Sequence, residues 1–250
     1  MDIIKAPTKI SAPVYRAQFK YIPPSLGSDK IEKGTTNESE IQQRLSGNII
    51  EVGQPECWNL KELCTRKRVN IPEKIRMLTD RYDFWLIQSA FAFIPAHGSK
   101  FTWARIVTVM EALPDISGDP IAYDAFPKNI YEEKYKDKEI NVGLNFKFKT
   151  VVETKADYIQ KIELTKLEPL ISVAGIGKTK PTWDFRGKAA FSLKDVNALY
   201  MIVKTPVHSK GLKLSFFSHA EISTKWGGLF PTTSKPKGED SYEVIFPIGT

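Results

Sequence analysis

The sequence predicts a mainly β protein: an antiparallel β-sandwich preceded by a smaller segment of mixed α and β structure. Three observations lead there. From residue 83 onward, short apolar or alternating runs follow one another with Gly, Pro, Asn and Asp between them. Almost no helical stretch connects them, which argues against strand–helix–strand units and a parallel sheet. The turn signals also recur at the spacing that sandwiches use.

The elements follow in chain order. Tyr15, Ala17, Phe19 and Tyr21 alternate with Arg16, Gln18 and Lys20, so one strand turns its aromatics to one side and its basic residues to the other. Pro23-Pro24 stops it, and residues 25–36 read as a polar exposed loop. Asn37 is placed to cap a short helix over residues 38–46, closed by Gly47. Residues 60–66 are helical in pattern. So are residues 71–81, with Pro72 in the first turn and Ile75 and Leu78 on one face. A boundary near residue 82 separates this mixed segment (1–82) from the sandwich (83–250), with residues 15–21 free to pair into the main sheet.

Residues 84–94 are apolar on both alternating sets, the mark of a central strand covered on both faces. The turn Pro95-Ala96-His97-Gly98 leads to a strand over residues 101–110, and the two read as a hairpin. Residues 113–120 form a loop. Val142, Leu144, Phe146 and Phe148 alternate with polar residues in a half-exposed strand. A further strand follows over residues 159–167, and a more buried one over 170–176. Trp183 and Phe185 share one face. Residues 199–203 are a buried run, Leu212, Leu214 and Phe216 alternate with Lys213 and Ser215, and the last strand covers residues 242–248.

At 250 residues and 42% hydrophobic, the chain holds enough apolar material for one or two domains. No apolar run reaches the roughly 18 residues of a membrane helix. The start, Met1-Asp2-Ile3-Ile4-Lys5-Ala6-Pro7, lacks the apolar centre of a secretory signal. With only Cys57 and Cys64, read as two packed thiols, a reducing, cytoplasmic location is expected. The net charge of +7 favours anionic partners through attraction and on-rate, not through specificity.

Motifs of catalysis are weak. Gly175-Ile176-Gly177-Lys178-Thr179 ends like a phosphate loop, but Ser172 stands where the first glycine is needed and Pro181 follows where a helix should start. It reads as a glycine turn between strands. Asp115, Ser117 and Asp119 have cation-loop spacing, yet Pro120 and Phe126 occupy the positions an EF-hand gives to glycine and glutamate. His97, His208 and His219 show no zinc-ligand spacing. Ser218 and His219, as neighbours on a strand, face opposite ways and form no nucleophile–base pair. Residues 132–139 form a mixed-charge connector, and Tyr123-Asp124-Ala125-Phe126-Pro127 a corner anchored by Phe126. No cofactor and no metal is expected.

Residues 223–241 read as one long loop, a feature that is uncommon and often functional in β domains. It carries Lys225, Trp226, Phe230, Lys235 and Lys237, and these five are the expected partner-binding residues, since Trp beside cations is typical of binding hot spots. The β region is similar, in a generic way, to immunoglobulin-like sandwiches, an architecture that hosts many functions. The expected function is therefore non-enzymatic binding of another macromolecule, a protein partner, through surface loops. The alternatives are a nucleic-acid-binding module using a basic surface, and a hydrolase whose site is assembled from distant residues such as Asp115, Asp119, Asp124 and His219. The basic–aromatic alternations at residues 15–21 and 146–149 put rings and cations on opposite faces, where they cannot build one stacking surface.

Overall fold

The computed structural model describes residues 10, 13–21, 45, 47–113, 118–127, 139–141, 147–149, 171–186, 197–224, 229–233 and 241–246. In chain order their elements are β1 (Pro13–Gln18), β2 (Lys20–Tyr21), β3 (Ile49–Gly53), β4 (Glu56–Asn59), α1 (Leu60–Lys67), α2 (Glu73–Arg76), β5 (Tyr82–Ile94), β6 (Ser99–Ala112) and β7 (Ile121–Phe126). There follow β8 (Glu139–Asn141), β9 (Lys147–Lys149), β10 (Ile171–Ala174), β11 (Thr182–Arg186), β12 (Asn197–Pro206), β13 (Gly211–Thr224), β14 (Leu229–Thr233) and β15 (Ser241–Ile245). The fold is an antiparallel β-sandwich. The first sheet has the order β1-β3-β5-β12-β7, with β4 also on β5. The second has the order β10-β11-β6-β13-β14-β2, with β15 also on β13. β8 and β9 pair with each other.

Both sheets are built on long strands whose edge is shared. Ile49–Val52 and Glu56–Asn59 pair with successive stretches of β5, so β3 and β4 divide one edge between them. β14 and β15 divide an edge of β13 in the same way. Strands β1, β3 and β4, which precede residue 82, are hydrogen-bonded into the same sheet as β5.

The interior between the sheets is one aromatic-rich cluster. Tyr15, Ala17, Trp85, Ile87, Phe91, Phe93, Leu199, Met201 and Val203 come from the first sheet; Phe101, Ile106, Trp183, Phe185, Leu214, Phe216 and Ile222 come from the second. Phe93 meets Phe101 at 5.4 Å and Phe185 at 5.2 Å, and Trp85 stacks on Phe246 at 3.9 Å. A buried hydrogen bond of 2.7 Å between Tyr15 Oη and Ser218 Oγ crosses from sheet to sheet. A second cluster lies on the outer side of the first sheet, where Leu60, Leu63, Cys64 and Ile75 of α1 and α2 cover Phe84, Leu86, Phe126, Tyr200 and Ile202. That cover accounts for the burial of Phe84 and Leu86, and with Trp85 and Ile87 packed in the interior this part of β5 is buried on both faces, as its double apolar pattern predicts. The two thiols fall on either side of this sheet: Cys57 packs against the interior and Cys64 against the helices.

Five local readings need correction. Residues 15–21 are not one strand, because β1 pairs with β3 in the first sheet while β2 pairs with β14 in the second. Residues 84–94 and 101–110 are not a hairpin, because β5 and β6 belong to different sheets. The turn at residues 95–98 carries the chain across the sandwich, closed by Ser99 N–H to the Ala96 carbonyl (2.9 Å), while Asn48 Oδ1 accepts from Ala96 N–H (3.0 Å). Turn residues signal a reversal; whether it stays in one sheet is set by long-range pairing. Residues 71–81 form only the short helix α2 and then turns, with Pro72 as an N-cap that has no side-chain hydrogen bond. Residues 170–176 yield an edge strand in which Ile171 alone is buried. Residues 223–241 are not one loop, since β13 runs to Thr224 and β14 takes residues 229–233. The predicted helix over 38–46 (Leu45 excepted), the strand over 159–167, most of that over 142–148, and Asp115 and Ser117 lie outside the described residues.

Candidate binding face

The two sheets treat their outer faces differently. Helices cover that of the first; among the described residues, no helix packs on that of the second. Strand β13 alternates strictly: Leu212, Leu214, Phe216, Ser218, Ala220 and Ile222 are buried, while Lys213, Ser215, Phe217, His219 and Glu221 are half-buried on the other side. Strand β6 presents Trp103, Arg105, Val107 and Val109 on that same outer side. A bulge, where the register shifts between Glu221/Trp103 and Ile222/Phe101, puts an extra residue between buried Phe101 and buried Ala104.

Cross-strand pairing arranges these residues in rows. Arg186, Trp103 and Glu221 form one; Asp184, Arg105 and His219 the next; then Thr182, Val107 and Phe217; then Val109 and Ser215; and last Glu111, Lys213 and Glu243. Directly opposed side chains on one face are in contact range. The middle of the face is thus apolar and small, and its ends are charged. Counted by register, five bases (Lys20, Lys100, Arg105, Arg186, Lys213) stand with four acids (Glu111, Asp184, Glu221, Glu243), so the described part of the face carries one of the surplus charges of a chain of net charge +7. The helical cover differs: residues 60–83 hold seven bases and four acids.

One pair gives the face its geometry. The Arg105 guanidinium donates from Nε to Asp184 Oδ1 (2.8 Å) and from Nη2 to Asp184 Oδ2 (3.0 Å), a two-pronged ion pair between β6 and β11. Its hydrogen bonds to Asp184 raise the Arg105 pKa. The same guanidinium lies 5.3 Å from the Trp103 ring centre. Burial and the neighbouring Arg105 charge hold the His219 imidazole below its ordinary pKa, so it is biased to the neutral form.

Other expected chemistry is placed elsewhere. The Gly175–Thr179 segment is a clasp between the sheets. Gly177 N–H donates to the Ala122 carbonyl (2.8 Å) and Ala122 N–H to the Lys178 carbonyl (3.0 Å), while Met110 N–H donates to the Thr179 carbonyl (2.9 Å). Lys178 N–H turns back to Gly175 O (3.1 Å), so these amides are committed within the fold and do not form a phosphate cradle. Gly175 has φ +78°, and a Cβ there would stand 2.2 Å from the Lys180 carbonyl oxygen, which explains the glycine. Ser218 is buried and His219 faces outward, so they form no dyad. Asp124 lies on β7 of the first sheet, bonded to Ala125 N–H, and is not brought together with His219 on the second. His97 and His208 are exposed. Tyr15, Ala17 and Phe19 are buried while Arg16 pairs with Glu51 (3.1 Å), so these rings are core. Among the described residues no three His, Cys, Asp or Glu side chains group to hold a metal ion, and no helix is long and apolar enough to cross a membrane.

Of the five partner-binding residues expected from sequence, Lys225, Trp226, Lys235 and Lys237 lie outside the described residues. Phe230 lies in β14, registered opposite buried Ile222. Sequence reasoning missed Trp103, Arg105, Asp184 and Phe217. The available signal was a charged residue between apolar neighbours near the middle of each of two strands, Arg105 between Ala104 and Ile106 in β6 and Asp184 between Trp183 and Phe185 in β11.

No family model matches the chain, and no curated protein matches it. Among solved structures, it is similar to one titled "Pore forming protein" with TM-score 0.31 and 8% identity over 79% of this chain and 90% of that one. Clostridium perfringens delta-toxin aligns with TM-score 0.29 and 10% identity over 79% and 88%. The Clostridium perfringens NetB toxin in its membrane-inserted form aligns with TM-score 0.31 and 8% identity over 79% and 95%. Likeness at this level carries no functional argument for this chain.

Proposed function

We propose that this is a non-enzymatic binding protein that engages a protein partner with the outer face of its second sheet. The observation that supports this is the row pattern: an apolar centre of Val107, Val109 and Phe217 between charged ends, on 14-residue strands that no described helix covers. An apolar centre with a polar rim is the anatomy of protein–protein contacts. Trp103 and Arg105 add the two side-chain types most enriched among binding hot spots. Strand β14, which holds Phe230, lies beside β13 in this sheet.

Photo-cross-linking tests this reading. A photoreactive residue at Val109, in the native host, is expected to form a discrete adduct that is lost when Phe217→Lys is added. The same probe at Glu62 on α1 serves as control. Equal labelling from both positions, or none from Val109, overturns the reading.

A further inference from the structure

We infer that the occupant of this face is a second copy of the same chain, an inference that rests on reading the face as a docking surface. Charge is the first argument. Two chains of net charge +7 repel each other wherever their surplus is presented, and an apposition of balanced faces avoids that cost. Counted by register, the described part of the second sheet's outer face is near balance, with five bases and four acids, whereas residues 60–83 over the first sheet hold seven bases and four acids.

The second argument is self-complementarity. Strand β13 carries Glu221 toward one end of the face and Lys213 at the other, with Ser215, Phe217 and His219 between. A contact between identical faces needs a twofold axis lying in the interface. Set across the strands at the Val107–Phe217 row, that axis lays each end of β13 over the opposite end in the other copy. Glu221 of each copy then meets Lys213 of the other, and Phe217 and Val107 meet their own counterparts at the centre.

Size is the third argument. Strands of 14 residues span about 46 Å at ~3.3 Å per residue. Four neighbouring strands at ~4.8 Å spacing add about 19 Å of width. Only β6 and β13 run that full length; with the 5 residues of β11 and the edge shared by β14 and β15, 5 each, the described face is on the order of 700 Å², within the roughly 600–1,000 Å² per partner of a standard stable interface.

Sedimentation of the purified full chain from about 1 to 200 μM, a range bracketing micromolar self-association, tests the inference. A concentration-dependent monomer–dimer equilibrium is expected. Lys213→Glu and Glu221→Lys should each weaken it about tenfold or more, and the double variant should recover most of the loss, because the exchanged charges meet again across the axis. Within one copy Lys213 faces Glu111 and Glu243, so damage confined to the fold is not repaired by Glu221→Lys. Near-UV circular dichroism checks that each variant is folded, and Phe217→Glu provides a second break at the centre. A monomer at every concentration overturns the second copy as occupant. So does a dimer indifferent to both Lys213→Glu and Phe217→Glu. An adduct from Val109 to a different chain leaves the docking face standing while removing this inference; no adduct removes both.

Discussion

The two sheets share one interior and differ in what lies outside it. In the first, β5 and β12 are buried on both sides, because α1 and α2 close the outer face over Phe84, Leu86, Tyr200 and Ile202. In the second, β13 is buried on one side only and carries polar residues and Phe217 on the other. A strand's apolar pattern thus reports how many layers cover it. The second sheet's outer row is more apolar than that rule requires, and the excess at Trp103, Val107, Val109 and Phe217 is what supports the proposed contact.

The comparison can be broken most severely from the shared interior. Phe91→Ala should cost about 3–5 kcal/mol in denaturant unfolding, because Phe91 is buried against Phe93 and Phe185. Trp183→Ala should match it, whereas a near-neutral result for either would mean that the sheets do not close on one another there. A sharper contrast sets Leu86→Ala, under the helices, against Val107→Ala on the other sheet's outer face. The first should cost about 2–5 kcal/mol and the second under about 1 kcal/mol in the isolated monomer. Equal losses would erase the distinction between covered and uncovered faces.

Gly175→Ala should cost roughly 1–3 kcal/mol, since it forces a side chain into a left-handed conformation against the Lys180 carbonyl. Faster amide exchange at Gly177 and Ala122, with little change at the centre of β13, would localise the damage to the clasp. The thiols should react slowly. Burial raises the Cys57 pKa to about 12 and that of Cys64 to about 11, so alkylation at pH 8 should lag a free thiol by about a hundredfold or more. The smallest effect belongs to His219. Its pKa is lowered on folding, so its contribution to stability is fully present above about pH 6.5 and declines as pH falls through the lowered folded value. In His219→Gln that part of the pH dependence should vanish, and an unchanged slope would place His219 in water.

Much of the architecture was legible residue by residue. Alternation at Tyr15–Phe19, the double apolar pattern of residues 84–94, the Trp183/Phe185 pair and the Leu212–Phe216 strand all face as their period requires. These readings succeed because side-chain direction along a strand is a local property of the backbone. The failures share a cause as well. The turn at residues 95–98 has the same composition whether the chain stays in one sheet or crosses to the other. The long loop expected over residues 223–241 concealed β14, because a short strand on a neighbour's edge has little pattern of its own.

Local chemistry therefore dictated that this chain forms strands, which side of each is apolar, and that its Gly-Lys-Thr segment is a turn. It did not dictate partners. That Arg105 meets Asp184 across 79 residues, that Tyr15 bonds to Ser218 from the opposite sheet, and that among the described residues helices roof one sheet and not the other, follow from pairing between distant segments. Such pairing is selected by the collective burial of both sheets at once, a quantity that no window of neighbouring residues contains.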